Sequence, residues 1–318
     1  MQPPAGISFS RPLALAELAA RHGGTLDPDA RALVVERIAS VEAGERTDLC
    51  PVTSRRYLGA ALASPAALLV DASLASAVPA GRRWVHPHAA WGLAGMLAEL
   101  CPEPPRDRRA LAVVDEGAEL AADVSIGPGA IVMAGARIGA GSVVEPHAVV
   151  YPRVRIGARV LVGAGAVIGR EGFGWAPGPD GALRRIPQLG GVWIEDDVEI
   201  GPLATVDAGT LAPTFVARGV RLDAHVHVGH NAVLGAGTIV AAQSGFAGSV
   251  RVGAGVRIGG QAGFADHVRV GDRAEIAAKA GVIGDIPERS VVAGYPAVNR
   301  ARWLRGMARM LGRGRKPK

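Results

Sequence analysis

The stretch SIGPGAIVMAGARIGAGSVVEPHAVVYPRVRIGARVLVGAGAVI, residues 125–168, repeats itself every six positions. Counted from further upstream, the repeat sets aliphatic residues at Val114, Leu120, Ile126, Val132, Ile138, Val144, Val150, Ile156, Val162 and Ile168. Four residues after each of the first nine stand Ala118, Val124, Ala130, Ala136, Ser142, Ala148, Val154, Val160 and Ala166, all small or β-branched. Glycine follows many of the aliphatic positions, as in SIGPGA, RIGAGS and LVGAGA. A period of six fits neither the helical 3.6 nor the simple alternation of a long strand. It matches the hexapeptide β-helix class, in which each unit makes one short strand and a turn, and three units close a triangular coil. The aliphatic side chain then points into the prism and stacks on its copy one coil away. The small residue relieves crowding at the corner, where glycine tolerates backbone angles that β-branched residues resist.

After a break the register resumes at Ile194, Ile200 and Val206 and slips by four residues. It then runs through Val216, Leu222, Val228, Leu234, Val240, Phe246, Val252, Ile258, Phe264, Val270, Ile276 and Val282. About twenty-five units, three to a coil, make roughly eight coils. An open stack of this kind exposes its last strand edges and needs caps. Residues 1–110 and 296–318 are placed to supply them, with 111–295 forming the β-helix. Residues 12–110 lack the period and read as a small α/β domain. It is expected to have an amphipathic helix around Leu13–Arg21, strands near Ala32–Ile38 and Ala67–Val70, and a helix near Ala89–Leu100. That domain is read equally as a binding module or an inert cap. A short helix is expected from about Pro296 to Leu311.

Composition agrees with this picture. The 318 residues are 49% apolar but only 4% aromatic, and 44 of them are glycine, so small and β-branched side chains must fill the core. Cys50 and Cys101 cannot build a disulfide framework and carry no CxxC spacing, which favours a reducing, cytoplasmic setting. The N-terminus has no basic flank followed by an apolar run, and no apolar stretch approaches the ~20 residues that cross a bilayer. The net charge of +6 comes from the end of the chain. Arg300, Arg302, Arg305, Arg309, Arg313, Arg315, Lys316 and Lys318 crowd the last nineteen positions, and the body is near neutral. A nucleic-acid groove is therefore not expected.

Chemistry is expected where the repeat breaks, because a solenoid projects its insertions onto its flank. The segment REGFGWAPGPDGALRRIPQLGG, residues 170–191, is one such projection, and Phe173, Trp175, Ile186 and Leu189 are too apolar for pure solvent. The second cluster is LDAHVHVGHN, residues 222–231, with three of the eight histidines in six positions. Leu222 and Val228 point inward, so alternation turns His225 and His227 outward, and His230 follows the next inward residue. An outward imidazole beside a groove suits general-base catalysis. HxHxxH spacing also suits a zinc site shared between subunits, and solvated surface histidines are the remaining reading.

The ordered set EGFGW, IPQLG, VEIG, TVD and VHVGHN resembles the UDP-3-O-acylglucosamine N-acyltransferase family of lipid A biosynthesis, over nearly the whole chain. The resemblance implies a mainly β fold: a left-handed parallel β-helix of hexapeptide repeats, an N-terminal uridine-binding α/β domain and a short C-terminal helical segment. It implies transfer of a 3-hydroxyacyl chain from the phosphopantetheine thioester of acyl carrier protein to the 2-amino group of UDP-3-O-acylglucosamine. It further implies that no metal or other cofactor takes part and that a homotrimer carries its sites between neighbouring β-helices. The family's D-G-F-G-[YW] stands here as Glu171-Gly172-Phe173-Gly174-Trp175. The family's catalytic histidine matches His230, and its oxyanion donor matches the backbone N–H of Gly248, eighteen residues on. Asp223 matches an acidic residue near the imidazole, and His267 a second histidine beside the substrate. His227 falls where the related O-acyltransferase of the same pathway carries a substrate-contacting histidine, Asn231, Phe173 and Trp175 are further candidates for binding substrate, and Tyr57 matches an aromatic that packs on uracil.

Two departures bear on the acceptor. The family's phenylalanine on the other face of uracil falls on Pro51, with Leu49 the nearest large apolar residue, and its D-R-G is Asp207-Ala208-Gly209 here. These motivate a second reading, a paralogue that acylates another amino-sugar nucleotide. A zinc hydratase built on His225, His227 and His230, or a non-catalytic scaffold, is the third. The basic C-terminal end is expected to dock the acidic carrier protein.

Overall fold

A computed structural model describes residues 6–100, 111–179, 181–294 and 305–310. The chain divides into two compact units, Met1–Pro104 and Pro105–Lys318.

The first unit is a six-stranded sheet with helices on both faces. In chain order it runs β1 (Ile7–Ala14), α1 (Leu15–His22), β2 (Thr25–Leu26), β3 (Val34–Ile38), β4 (Asp48–Val52), α2 (Leu58–Ala63), β5 (Ala67–Asp71), β6 (Arg83–His86) and α3 (Ala89–Leu100). The strand order is β1-β3-β4-β5-β6-β2, parallel from β3 to β6 and antiparallel at both edges. Because the sheet is covered on both sides, its middle strands read as continuous apolar runs, ALLV in β5 for example. Leu49 and Leu69 join Leu15, Leu18, Trp84 and Met96 on one face, while Cys50, Val52, Leu68 and Val70 join Ala61 and Leu74 on the other. Burial pushes the Cys50 thiol up to about 12, so it is an inert packing group. The expected helix at Ala89–Leu100 is present, and the strands expected near Ala32–Ile38 and Ala67–Val70 are found at Val34–Ile38 and Ala67–Asp71. The helix expected to begin at Leu13 begins at Leu15, because Leu13 and Ala14 pair with Val35 and Val34 as the end of β1. β1, β4 and β6 were not visible in the local pattern, since their burial depends on the sheet around them.

In the second unit most hexapeptides make a two- or three-residue strand, and each such strand pairs in parallel with the strand one coil away, so Val132 aligns with Val150 and Val150 with Ile168. The strands form three walls of nine, eight and nine. This is the mainly β, parallel β-helix architecture expected. One strand more than expected is present, because Val291–Val292 rejoins the third wall after a break at 283–290 that ends the strict period. From Ile126 to Val282 the aliphatic positions of the repeat are buried in one continuous core with the alanines at the corners. Gly129, Gly165 and Gly237 take φ of 69°, 66° and 66° at these corners, and Asn231 and His267 adopt the same left-handed angle at 62° and 60°.

Near the far end the aliphatic stack is interrupted by Phe246 and Phe264, whose rings lie parallel with centroids 4.7 Å apart inside the prism. Phe246→Ala empties that space in two coils at once. Denaturant titration is expected to register a loss of about 3–5 kcal/mol.

Both interruptions of the repeat leave the same corner, between the first and second walls. The longer one prolongs a first-wall strand to Val167–Glu171 and folds Trp175–Pro177 against Leu183–Arg185 as an antiparallel hairpin. It re-enters the second wall at Val192–Ile194. The shorter one lies between strands Thr205–Ala208 and Thr214–Val216. They are stitched together by Leu189 N–H to Thr210 O at 2.9 Å, Gly190 N–H to Gly209 O at 2.7 Å and Gly209 N–H to Gly191 O at 2.9 Å. The C-terminal helix is seen at 305–310; the rest of the expected 296–311 helix and the basic tail lie outside the described residues. Among the described residues no helix is long and apolar enough to cross a membrane.

Candidate functional site

His230 sits at the corner from which both insertions project, between strands His227–Val228 and Val233–Leu234. Its imidazole is half-buried between two glycines. A Cβ built on Gly172, in the longer insertion, would lie 2.8 Å from His230 Cβ and 3.0 Å from Cδ2. A Cβ on Gly248, one coil away, would lie 2.5 Å from Cε1 and 2.6 Å from Nε2. Neither position accepts a side chain while the ring stays where it is. The motif EGFGW thus earns its first glycine through contact with an imidazole 58 residues away in sequence.

A chain of hydrogen bonds fixes the ring. His230 Nδ1 lies 3.0 Å from Asn231 Oδ1, which also accepts from the Thr210 backbone N–H at 3.2 Å. The Thr210 hydroxyl proton is shared between that oxygen at 2.8 Å and Gln188 Oε1 at 2.6 Å, and Gln188 Nε2 donates to Ile186 O at 3.1 Å. Asn231 Nδ2 donates to Ala212 O at 3.3 Å, which identifies Oδ1 as the atom facing the imidazole. An amide oxygen only accepts, so His230 must carry its proton on Nδ1 and leave Nε2 with a free lone pair. Nε2 is also the ring nitrogen nearer Gly248. Asn231 was expected to touch substrate, yet its amide is spent inside the chain, and we assign it to positioning. Asn231→Gly keeps the left-handed backbone and removes the amide. It is expected to lower kcat by up to about tenfold, the worth of one such hydrogen bond, with little change in melting temperature.

The Gly248 backbone completes the corner. Two residues past an inward residue, the amide N–H is capped at several turns by a carboxylate. Glu145 accepts from Ala164, Asp115 from Ala134, and Asp223 from Ala242. Each of these acids stands one coil below, directly after an inward residue. Below Gly248 that place is Gly229, which has no side chain, and among the described residues no acceptor lies on the Gly248 N–H. An unclaimed donor thus sits next to an imidazole lone pair. His267 lies one further coil on, exposed, with its backbone N–H donating to Gly248 O at 3.0 Å.

The other predicted residues divide. His227 projects from the first wall, half-exposed, with Nδ1 2.7 Å from Thr205 Oγ1 and Nε2 3.8 Å from Asp207 Oδ2. Asp223 is not beside the imidazole. Its oxygens accept from Ala224 N–H at 2.7 Å and Ala242 N–H at 3.2 Å, capping the corner between the third and first walls. The acid that faces His227 and His230 is Asp207, which the sequence offered only as the start of an altered D-R-G. Burial pushes its carboxyl above the usual range, against the pull of His227, Arg170 and His230. His225 occupies a turn with φ of 58° and is exposed. No three metal-ligating side chains converge among the described residues of the chain, so His225, His227 and His230 do not form a single-chain zinc site.

In the projection, Phe173 is 87% exposed and Trp175 44%, with the Arg185 guanidinium 5.8 Å from the Trp175 ring and paired to Glu171 at 2.9 Å. Leu183, Ile186 and Leu189 are exposed beside them, an apolar surface on a hairpin whose root touches His230. In the first unit Tyr57 ends a short 3-10 turn, half-buried, and its ring carries the Arg56 guanidinium at 4.6 Å. Pro51 is half-buried on β4, whereas Leu49 is fully buried and cannot present a face to a base. Sequence reading missed Gly172, Gln188, Thr210, Gly229 and Asp207 as parts of this corner. The four-residue slip after Val206, which sets Thr210 beside Asn231, was the signal available.

The family model for the bacterial transferase hexapeptide, six repeats, matches residues 135–170. The chain is 58% identical over 145 residues to the UDP-3-O-acylglucosamine N-acyltransferase of Syntrophus aciditrophicus, a match covering 45% of this chain and 39% of that protein. It is 54% identical over 85 residues to the enzyme of the same name from Chlorobium chlorochromatii, covering 27% and 24%. With that from Bordetella parapertussis it shares 50% over 91 residues, covering 28% and 25%. The chain thus spans 24–39% of the length of these curated relatives. Among solved structures, the UDP-N-acetylglucosamine acyltransferase from Campylobacter jejuni superposes with a TM-score of 0.53 at 24% identity, over 65% of this chain and 84% of that one. Its counterpart from Bacteroides fragilis gives 0.54 at 24% identity, over 65% and 77%. These two likenesses bear on the fold, which is the β-helix described above.

Proposed function

We propose that the chain is an N-acyltransferase that moves a 3-hydroxyacyl group from acyl carrier protein to the 2-amino group of UDP-3-O-acylglucosamine. The observation that carries this reading is the pairing of a His230 Nε2 lone pair, set by Asn231, with the unclaimed N–H of Gly248. Amine acylation needs both. An ammonium has no lone pair to add to a carbonyl, so a base must first remove a proton, and His230 Nε2 does so. The freed nitrogen adds to the thioester carbon, and negative charge gathers on its oxygen, where the Gly248 N–H receives it. Collapse expels the phosphopantetheine thiolate, which takes the proton from His230, and the neutral imidazole then removes the second proton from the nitrogen as the amide forms and passes it to solvent. The donor thioester supplies the reactive carbonyl, and neither metal nor resident cofactor enters any step.

The remaining parts follow from the same surface. His227 and His267 flank the corner for the acceptor sugar, and Phe173 and Trp175 offer apolar area for an acyl chain or a neighbouring copy. Such a patch on a hairpin supports a homotrimer, in which copies cover one another's exposed rings. Tyr57 supports nucleotide stacking in the first unit. The protein is assigned to the cytoplasm, where acyl carrier protein and UDP-sugars are available. Arg305 and Arg309, on the helix at 305–310, extend a basic end suited to that acidic carrier.

One finding favours a different amino-sugar nucleotide as acceptor. Leu49 is buried and Arg56 lies over Tyr57, so an aromatic sandwich for uracil is not available as it stands. Both readings are tested by mass spectrometry of the product formed from a mixture of carrier-bound acyl chains and UDP-amino-sugars. An amide on the 2-nitrogen of UDP-3-O-acylglucosamine supports the first, and selection of another amino sugar the second. Absence of any amide product defeats both.

A further inference from the structure

Asp207 has no part in the steps above, yet it is the most constrained carboxylate at the corner. It lies in strand Thr205–Ala208 just after the inward Val206, so its side chain leaves the wall on the outer side. That side chain is only 9% exposed. Among the described residues no hydrogen bond reaches it. The nearest imidazole nitrogen, His227 Nε2 at 3.8 Å, is beyond hydrogen-bond range and already anchored through Nδ1 to Thr205. Arg170 and His230 act on it electrostatically, and the charge remains poorly solvated. A carboxylate so enclosed is stable when ionised only with a cation in contact. The chain brings no cation within hydrogen-bond range of it, whereas an amino-sugar acceptor is protonated near neutral pH and supplies one.

We propose that Asp207 is the residue that recognises the acceptor's amino group, holding its ammonium form beside His230 and so selecting amines over hydroxyls. This rests on the reading of the corner as a site of N-acyl transfer and names the group that chooses its acceptor. The bound ammonium gives one proton to His230 Nε2, and no other bond changes in that step. The carboxylate favours the positive charge on the sugar nitrogen before transfer and on the imidazole after it, so it binds the acceptor without trapping it.

Calorimetric titration of the full chain with UDP-glucosamine and UDP-glucose at pH 6.5 tests this without any acyl donor. Wild type is expected to bind the amino sugar about tenfold more tightly, as one charge-assisted hydrogen bond would give. In Asp207→Asn the preference is expected to fall to near unity, with UDP-glucose affinity changed less than about twofold. Wild type without a preference, or a variant that keeps it, overturns the inference. Failure of the underlying reading looks different: neither nucleotide binds wild type and no amine is acylated, which removes both. Should Asp207→Asn not fold, as judged by its melting curve, Asp207→Ser carries the same comparison.

Discussion

His230→Ala is expected to cut the rate of acyl transfer from hydroxyacyl carrier protein by about 10²–10⁴-fold, the usual contribution of a positioned acid–base group. Folding should survive, because the imidazole lies outside the prism and the aliphatic positions on either side, Val228 and Leu234, belong to the core without it. The loss should fall on kcat, since the ring acts on the reacting nitrogen. Steady-state kinetics with circular dichroism on the same sample decides the matter. A folded variant with near wild-type turnover would remove His230 from the mechanism. The Asn231 bond makes the expectation specific, because a ring locked with its proton on Nδ1 is a base at Nε2 from the outset.

Gly248→Ala should be nearly as damaging for a reason that involves no lost chemical group. The glycine has an ordinary backbone angle, so alanine is tolerated locally. Its methyl, however, would stand 2.5 Å from His230 Cε1 and 2.6 Å from Nε2. The ring cannot retreat, because Gly172 closes its other side. Displacing a base by about 1 Å costs on the order of 10²-fold. The same methyl crowds the space in front of the free N–H, where the thioester oxygen must sit, and loss of one such donor costs about 10²–10³-fold in comparable enzymes. We expect kcat to fall by at least about 10²-fold while the melting temperature stays within a few degrees of wild type. Unchanged kcat would mean that neither the ring nor the amide works where it stands.

The β-helix was legible because its signal is additive. Each inward aliphatic from Ile126 to Val282 is a weak cue, but a six-residue period sustained over so many units has no competing explanation, and those positions are buried. The site was legible in part. Alternation turned His225 and His227 outward correctly, and an eighteen-residue step placed Gly248 over His230. What periodicity could not convey was the path of the insertions. Gly172, Gln188 and Thr210 meet His230 and Asn231 only because two interruptions leave one corner and hydrogen-bond to each other. Asp223 and Asp207 illustrate the same limit. Both follow an inward residue, but Asp223 has two backbone N–H groups to cap, whereas Asp207 lies in a strand at the corner carrying both insertions and is enclosed with only a 3.8 Å contact to His227. In the first unit local pattern failed for β1, β4 and β6, whose burial is decided by neighbours far along the chain.

The claim on which the account turns is that Asn231 holds the proton of His230 on Nδ1 and so aims a bare Nε2 at the acceptor. Nitrogen-15 spectra of histidine-labelled protein, with the His230 pair identified by its disappearance in His230→Ala, observe this directly. The account predicts that the neutral ring is protonated on Nδ1 and unprotonated on Nε2, and that Asn231→Gly erodes the preference. A neutral ring carrying its proton on Nε2 would contradict it.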